Sequence, residues 1–129
     1  MKKIFLTLMF VLFASISFAQ NIQWYQATSF ASKPYNSASW SDWQSSTVKI
    51  CININNDTIT IYSPQTQYYQ VISQVQAPYD SDGVQVRYVV RNVLNQTLYV
   101  RLRIENNGNS QLYVDFADGS IVYNIRRIE

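Results

Sequence analysis

Apolar and polar side chains alternate with a period of two through most of the chain from residue 47 onward. No window in that region sustains a helical period of 3.6 with caps. Val48, Ile50, Ile52 and Ile54 alternate with Thr47, Lys49, Cys51 and Asn53. Leu98, Val100, Leu102 and Ile104 alternate with Thr97, Tyr99, Arg101 and Arg103. Leu112, Val114 and Phe116 alternate with Gln111, Tyr113 and Asp115. Successive side chains of a strand point to opposite faces, so this pattern describes strands with one buried and one wetter face. Val, Ile, Thr and Tyr dominate the runs, which suits a pleated surface.

Turn residues fall between the runs. Asn55-Asn56-Asp57, Ser81-Asp82-Gly83, Asn106-Asn107-Gly108-Asn109 and Asp118-Gly119 are the clusters. The pattern predicts strands at 23–30, 47–54, 58–63, 68–76, 84–93, 97–105, 110–116 and 120–127, with a short extra one at Trp40–Gln44. The segment 20–46, rich in Ser, Gln and Asn, reads as a first strand followed by a long loop. Its tryptophans are expected to plug one end of a barrel or line its mouth.

Two hairpins carry a register. A two-residue turn at Asp118-Gly119 pairs Phe116 with Ile121, Val114 with Tyr123 and Leu112 with Ile125. At the Asn55–Asp57 corner two turns are open. One pairs Ile54 with Ile59 and Ile52 with Ile61; the other pairs Ile52 with Ile59 and Ile50 with Ile61. A one-residue slip would turn every apolar side chain to the wrong face.

Tight turns between consecutive strands describe an antiparallel meander. The expected fold is all-β, a single meander of about eight strands closing into a small up-and-down, lipocalin-like barrel. A two-sheet sandwich is the alternative. Closure is favoured because it removes exposed edges.

The N-terminus carries an address. Met1-Lys2-Lys3 is basic, Ile4 to Phe13 is apolar except for Thr7, and Ser17 and Ala19 are small residues spaced for signal peptidase. Residues 1–19 read as a cleaved secretory signal and 20–129 as one exported domain, periplasmic or secreted. No later apolar run approaches the length of a membrane span. The whole chain has ten Lys and Arg against eight Asp and Glu. Loss of Lys2 and Lys3 leaves eight against eight, so the basic balance is no argument for nucleic acid. Cys51 is the single cysteine and cannot form an internal bridge.

There is no His, which removes the commonest general base and metal ligand. A Ser-His-Asp or Cys-His centre cannot be built. No Gly-rich phosphate loop exists, and the carboxylates fall mostly in turns rather than facing pairs. The reading is therefore non-catalytic, with no cofactor and no metal site.

The residues singled out for binding are Trp40, Trp43, Arg87, Arg101 and Arg103. Arg87 lies across from Arg103 or Arg101, depending on the loop around residues 94–96. Crowded like charges cost stability in a sheet. A loop at Asn106–Ser110 places Asp115 across from Arg101 and relieves it; a bound anion would do the same. Tyr62, Tyr68, Tyr99 and Tyr113 are candidates for outward rings that stack on sugars. The expected function is an exported binding module for a small apolar or anionic molecule or a glycan. The alternative is a structural or protein-interaction component of the cell envelope, or an inhibitor.

Several stretches carry a resemblance. They are Phe18-Ala19-Gln20, Trp40-Ser41-Asp42-Trp43, the run Ile59 to Ser63 followed by Gln67 and Tyr68, and Gln111 to Phe116 with Val122-Tyr123-Asn124. In these the chain resembles small exported β-proteins of Bacteroidetes-type bacteria. The resemblance implies an exported β-protein and supplies no activity. Related sequences carry Cys in the segment aligned with 88–101. This chain has none there, so a bridge in that hairpin is not carried over.

Overall fold

The computed structural model describes residues 22–80, 83–106 and 109–128. Residues 1–21, which include the segment read as a signal, residue 129 and parts of the turn clusters, Ser81-Asp82 and Asn107-Gly108, lie outside the described residues. The elements are β1 (Ile22–Pro34), β2 (Gln44–Ser45), β3 (Lys49–Asn53), β4 (Thr58–Ile61) and β5 (Gln67–Asp80). They continue with β6 (Gly83–Arg91), β7 (Thr97–Glu105), β8 (Ser110–Phe116) and β9 (Gly119–Arg127). All pairings are antiparallel, each strand from β3 to β9 pairs with the next, and β1 pairs with both β3 and β9. Eight strands thus close into an up-and-down barrel, and β2 is an extra strand held along β1 at Ser29 and Phe30.

The interior follows the alternation. Ile50, Ile52, Ile59, Ile61, Val90, Val100, Leu102, Leu112 and Val114 are fully buried. The rings of Tyr25, Tyr69, Tyr88 and Tyr123 join the same cluster. Their hydroxyls avoid isolation where polar partners reach them: Tyr69 Oη donates to Gln67 Oε1 at 2.7 Å, and Gln67 Nε2 donates to Tyr123 Oη at 3.3 Å. Each fully buried aliphatic side chain contributes about 1.5–3 kcal/mol relative to exposure. That contribution carries a fold in which Cys51 is free.

Among the described residues, three register shifts shape the wall. One lies in β1, between Ala27 and Ser29, and two in β5, between Val71 and Ser73 and between Pro78 and Asp80. A bulge adds one residue and exchanges the inward and outward sets beyond it. Tyr25 and Ala27 face the core before the β1 bulge, and Phe30 packs against the core after it. The long loop expected after residue 30 is therefore corrected: β1 runs on to Pro34, paired with β9, and its alternation changes phase at Thr28.

The β8–β9 register also differs from expectation. Val114 pairs with Ile121, Leu112 with Tyr123 and Ser110 with Ile125, so the turn lies at Ala117-Asp118. The offset is two residues, which keeps every apolar side chain on the core face; the period-two pattern does not distinguish the two registers. Gly119 takes the residue after the turn with φ 154°, and a Cβ there would stand 2.6 Å from the Lys33 carbonyl oxygen. The β1–β9 closure thus sets this position as much as the turn does. At the β3–β4 corner the second register holds, with Ile52 opposite Ile59 and Ile50 opposite Ile61. Asp57 ends that corner in the left-handed region, φ 53°, a conformation Asp tolerates better than most residues.

Candidate functional site

The closed wall places three parallel rows of outward side chains across β1, β9, β8, β7 and β6. The middle row runs Ala31, Val122, Tyr113, Arg101, Arg87, and ends on Val75 of β5. On one side lies Lys33, Ser120, Asp115, Tyr99 and Val89. On the other lies Ser29, Asn124, Gln111, Arg103 and Gln85.

Arg87 sits directly opposite Arg101, the second of the two pairings read from the sequence. The like-charge contact is relieved diagonally. Arg101 Nε donates to Asp115 Oδ2 at 2.8 Å and Arg101 Nη2 to Asp115 Oδ1 at 3.0 Å. Asp115 is opposite Tyr99 rather than Arg101. The expected cross-strand pair is thus corrected by two residues, and the long guanidinium spans the diagonal. Ser120 Oγ also donates to Asp115 Oδ1, at 2.8 Å. A bidentate pair of this kind is geometrically specific.

Tyr113 is the hub. The Arg101 guanidinium lies 4.3 Å from its ring centre and that of Arg103 5.7 Å. Arg103 Nη1 donates to Tyr113 Oη at 3.1 Å, and that hydroxyl donates to Gln111 Oε1 at 2.9 Å. The chain of bonds continues from Gln111 Nε2 to Asn124 Oδ1 and from Asn124 Nδ2 to Ser29 Oγ, both 2.9 Å. Trp40 meets Tyr113 edge-on, ring centres 6.1 Å apart, with Lys33 Nζ 5.6 Å from the indole. It is brought there by the return of the chain along β1, where Ser41 N–H donates to Ser32 O at 2.7 Å. Ala31 and Val122 face outward on the row that Trp40 joins to Tyr113, yet they are 1% and 3% exposed. At the far end the Arg87 guanidinium lies 4.6 Å from the Tyr99 ring centre, and both side chains are exposed.

The structure therefore gathers Trp40, Arg101 and Arg103 around Tyr113, with Arg87 adjoining. Trp43 is half exposed. The expectation that the tryptophans plug or line the barrel end is corrected. Trp40 lies on the outer wall, and Trp24 stacks on Tyr62 with centres 6.0 Å apart and planes 18° apart. In register Cys51 lies beside Trp24 on the strand between those two rings. Its burial pushes the thiol pKa up, which disfavours the nucleophilic thiolate. Sequence reasoning missed the stack because its partners are 38 positions apart; only the β1–β3–β4 order joins them.

Chemically, the surface offers aromatic faces for the C–H faces of sugars and planar guanidinium donors for carboxylates or hydroxyl pairs. Asp115 already neutralises Arg101, so of the arginines gathered around Tyr113 and beside it, the exposed one is Arg87 on its Tyr99 platform. Among the described residues, no three His, Cys, Asp or Glu side chains group to hold a metal ion. Fold and surface define a closed β-barrel with a packed interior and an aromatic and arginine-bearing wall. Comparison of the chain with family models, with curated proteins and with solved structures found no match.

Proposed function

We propose that this chain is an exported, non-catalytic binding module that takes an acidic glycan, or a similar carboxylate-bearing ligand, on its outer wall. The observation that carries this reading is the Arg87–Tyr99 pair beside the Tyr113 hub. It places a solvent-facing guanidinium and a ring side by side on neighbouring rows, next to Arg101, Asp115, Ser120, Arg103 and Tyr113, which are held by hydrogen bonds. Such a held surface loses little side-chain entropy when a ligand binds. The interior is occupied by aliphatic and tyrosine side chains, which favours the wall over the lumen as the binding surface.

Export rests on the basic start, apolar core and small residues before Gln20. N-terminal sequencing of the protein recovered from envelope or medium should begin at Gln20; an intact Met1 would sink that part. The binding reading is tested on an array of neutral, carboxylated and sulfated glycans. Wild type should select acidic glycans, and the variant carrying Arg87→Gln and Tyr99→Ser should lose at least tenfold in affinity. Both side chains are exposed, so the fold should survive. Selection of acidic glycans that is unchanged in the variant would overturn the assignment of the site.

A further inference from the structure

The barrel wall is uneven along β5. Strand β4 pairs only with Gln67 to Gln70 of β5, and Val71 N–H then donates to Asp57 O at 2.7 Å. Beyond that point β5 continues to Asp80, bonded to β6 on its other side. Among the described residues, no hydrogen bond reaches Ile72–Gln76 from the β4 side. A cleft of about 250 Å³ opens there, between the β3–β4 corner and Val71–Gln74. Among the described residues, the closed barrel thus keeps a short free edge along β5.

Free edges are ordinarily guarded by Lys, other charges or Pro. No Lys, Arg, Asp or Glu occurs between Asp57 and Asp80. The guards present are the bulge at Ile72 and Pro78, which bound the free segment at its two ends. Within it the two apolar side chains point to solvent, Ile72 51% and Val75 64% exposed.

We propose that Ile72–Gln76 is a self-association edge, pairing antiparallel with the same segment of a second copy of this chain. A two-fold axis beside Gln74 sets Ser73 opposite Val75 of the second copy and Ile72 opposite its Gln76. The contact is isologous, each copy supplying the same surface, so it closes as a dimer rather than a fibre. An uncharged edge has nothing with which to select a charged partner strand, but it meets its own sequence without repulsion. Arg87, opposite Val75 on β6, and its copy stay three strand spacings apart. That is about 14 Å, beyond the Debye length of about 8 Å at physiological salt. Five residues a side make a small interface, so the dimer forms weakly and by mass action. The inference is independent of the glycan reading.

Sedimentation equilibrium of the purified protein tests it, at concentrations reaching about 1 mM to suit so small an interface. Wild type should shift from monomer to dimer as concentration rises. Val75→Lys, a charge on the exposed edge, should weaken dimerisation at least tenfold. Val93→Lys, on the equally exposed loop after β6, should leave it unchanged. A wild type that stays monomeric throughout overturns the proposal. So does a dimer that survives Val75→Lys, or one that Val93→Lys dissolves equally well. Should Val75→Lys fail to fold, amide exchange of wild type decides. Protection of Ile72–Gln76 that grows with concentration supports the edge, and protection independent of concentration overturns it.

Discussion

The two faces of β7 obey different rules. Inward, Leu98, Val100 and Leu102 are 5%, 0% and 2% exposed and belong to one packed cluster. Outward, Tyr99, Arg101 and Arg103 are held by pair geometry, namely guanidinium on ring, guanidinium on carboxylate and guanidinium on hydroxyl. The inner face gains from the volume it removes from water and tolerates no void. The outer face gains little from any one contact, because solvent screens it, but it holds its groups in place. The barrel therefore keeps its stability inside and its paired charges and rings outside.

The sharpest break of this contrast is a cavity. Leu102→Ala should lower the unfolding free energy in urea by about 2–5 kcal/mol, the range for truncating a large buried aliphatic side chain. A loss similar to that of an outer-face truncation would mean that the interior collapses around the gap and that the two faces are less distinct than described.

High pH should attack the inner face selectively. Burial pushes Tyr69 and Tyr88 up to about 12, and Tyr25 and Tyr123 upward as well. In the unfolded chain a tyrosine ionises near its ordinary value of about 10. Between those values the unfolded state binds fewer protons, so stability falls as pH rises. The urea midpoint should be unaffected by these tyrosines below about pH 9 and drop from about 10 to 12. The tyrosinate absorbance of the inner rings should appear with unfolding, not before it. Ionisation of all tyrosines near the ordinary value without unfolding would contradict the packed interior.

The smallest effect belongs to the outer face. Asp115→Asn removes the carboxylate charge beside Arg101 and should cost about 0.5–1 kcal/mol, as for a partly exposed ion pair. Arg87 and Arg101 then face each other uncompensated, so the loss should grow at low ionic strength and shrink in salt. A loss indifferent to salt would show that Asp115 acts through Ser120 and packing rather than through charge.

Strands β7 and β8 are legible in the sequence because they alternate without interruption, and they have the same limits in both readings. The full lengths of β1 and β5 are not. Each carries a bulge, at Thr28 and Ile72, and a bulge reverses the phase on which the reading depends. The arginines could be placed on the outer face by parity alone. Their companions could not. Tyr113 becomes the hub only through the β7–β8 register, and Asp115 reaches Arg101 along a diagonal that a two-residue change in loop length creates. Trp40 reaches Tyr113 because β1 and β9 close the barrel, bringing residues 73 positions apart to one surface.

What the chain determines by itself is which side chains face inward within each uninterrupted run and that its strands run as an antiparallel meander. Those properties are local, set by the opposite directions of successive side chains and by turn residues between runs. What the tertiary structure decided is the register of β8 on β9, the phase changes in β1 and β5, the outer rows and the free edge at Ile72–Gln76. Registers two residues apart bury the same face, so alternation is blind to them. The choice falls to turn conformation, to bulges and to the close approach of Gly119 to Lys33 where the barrel shuts.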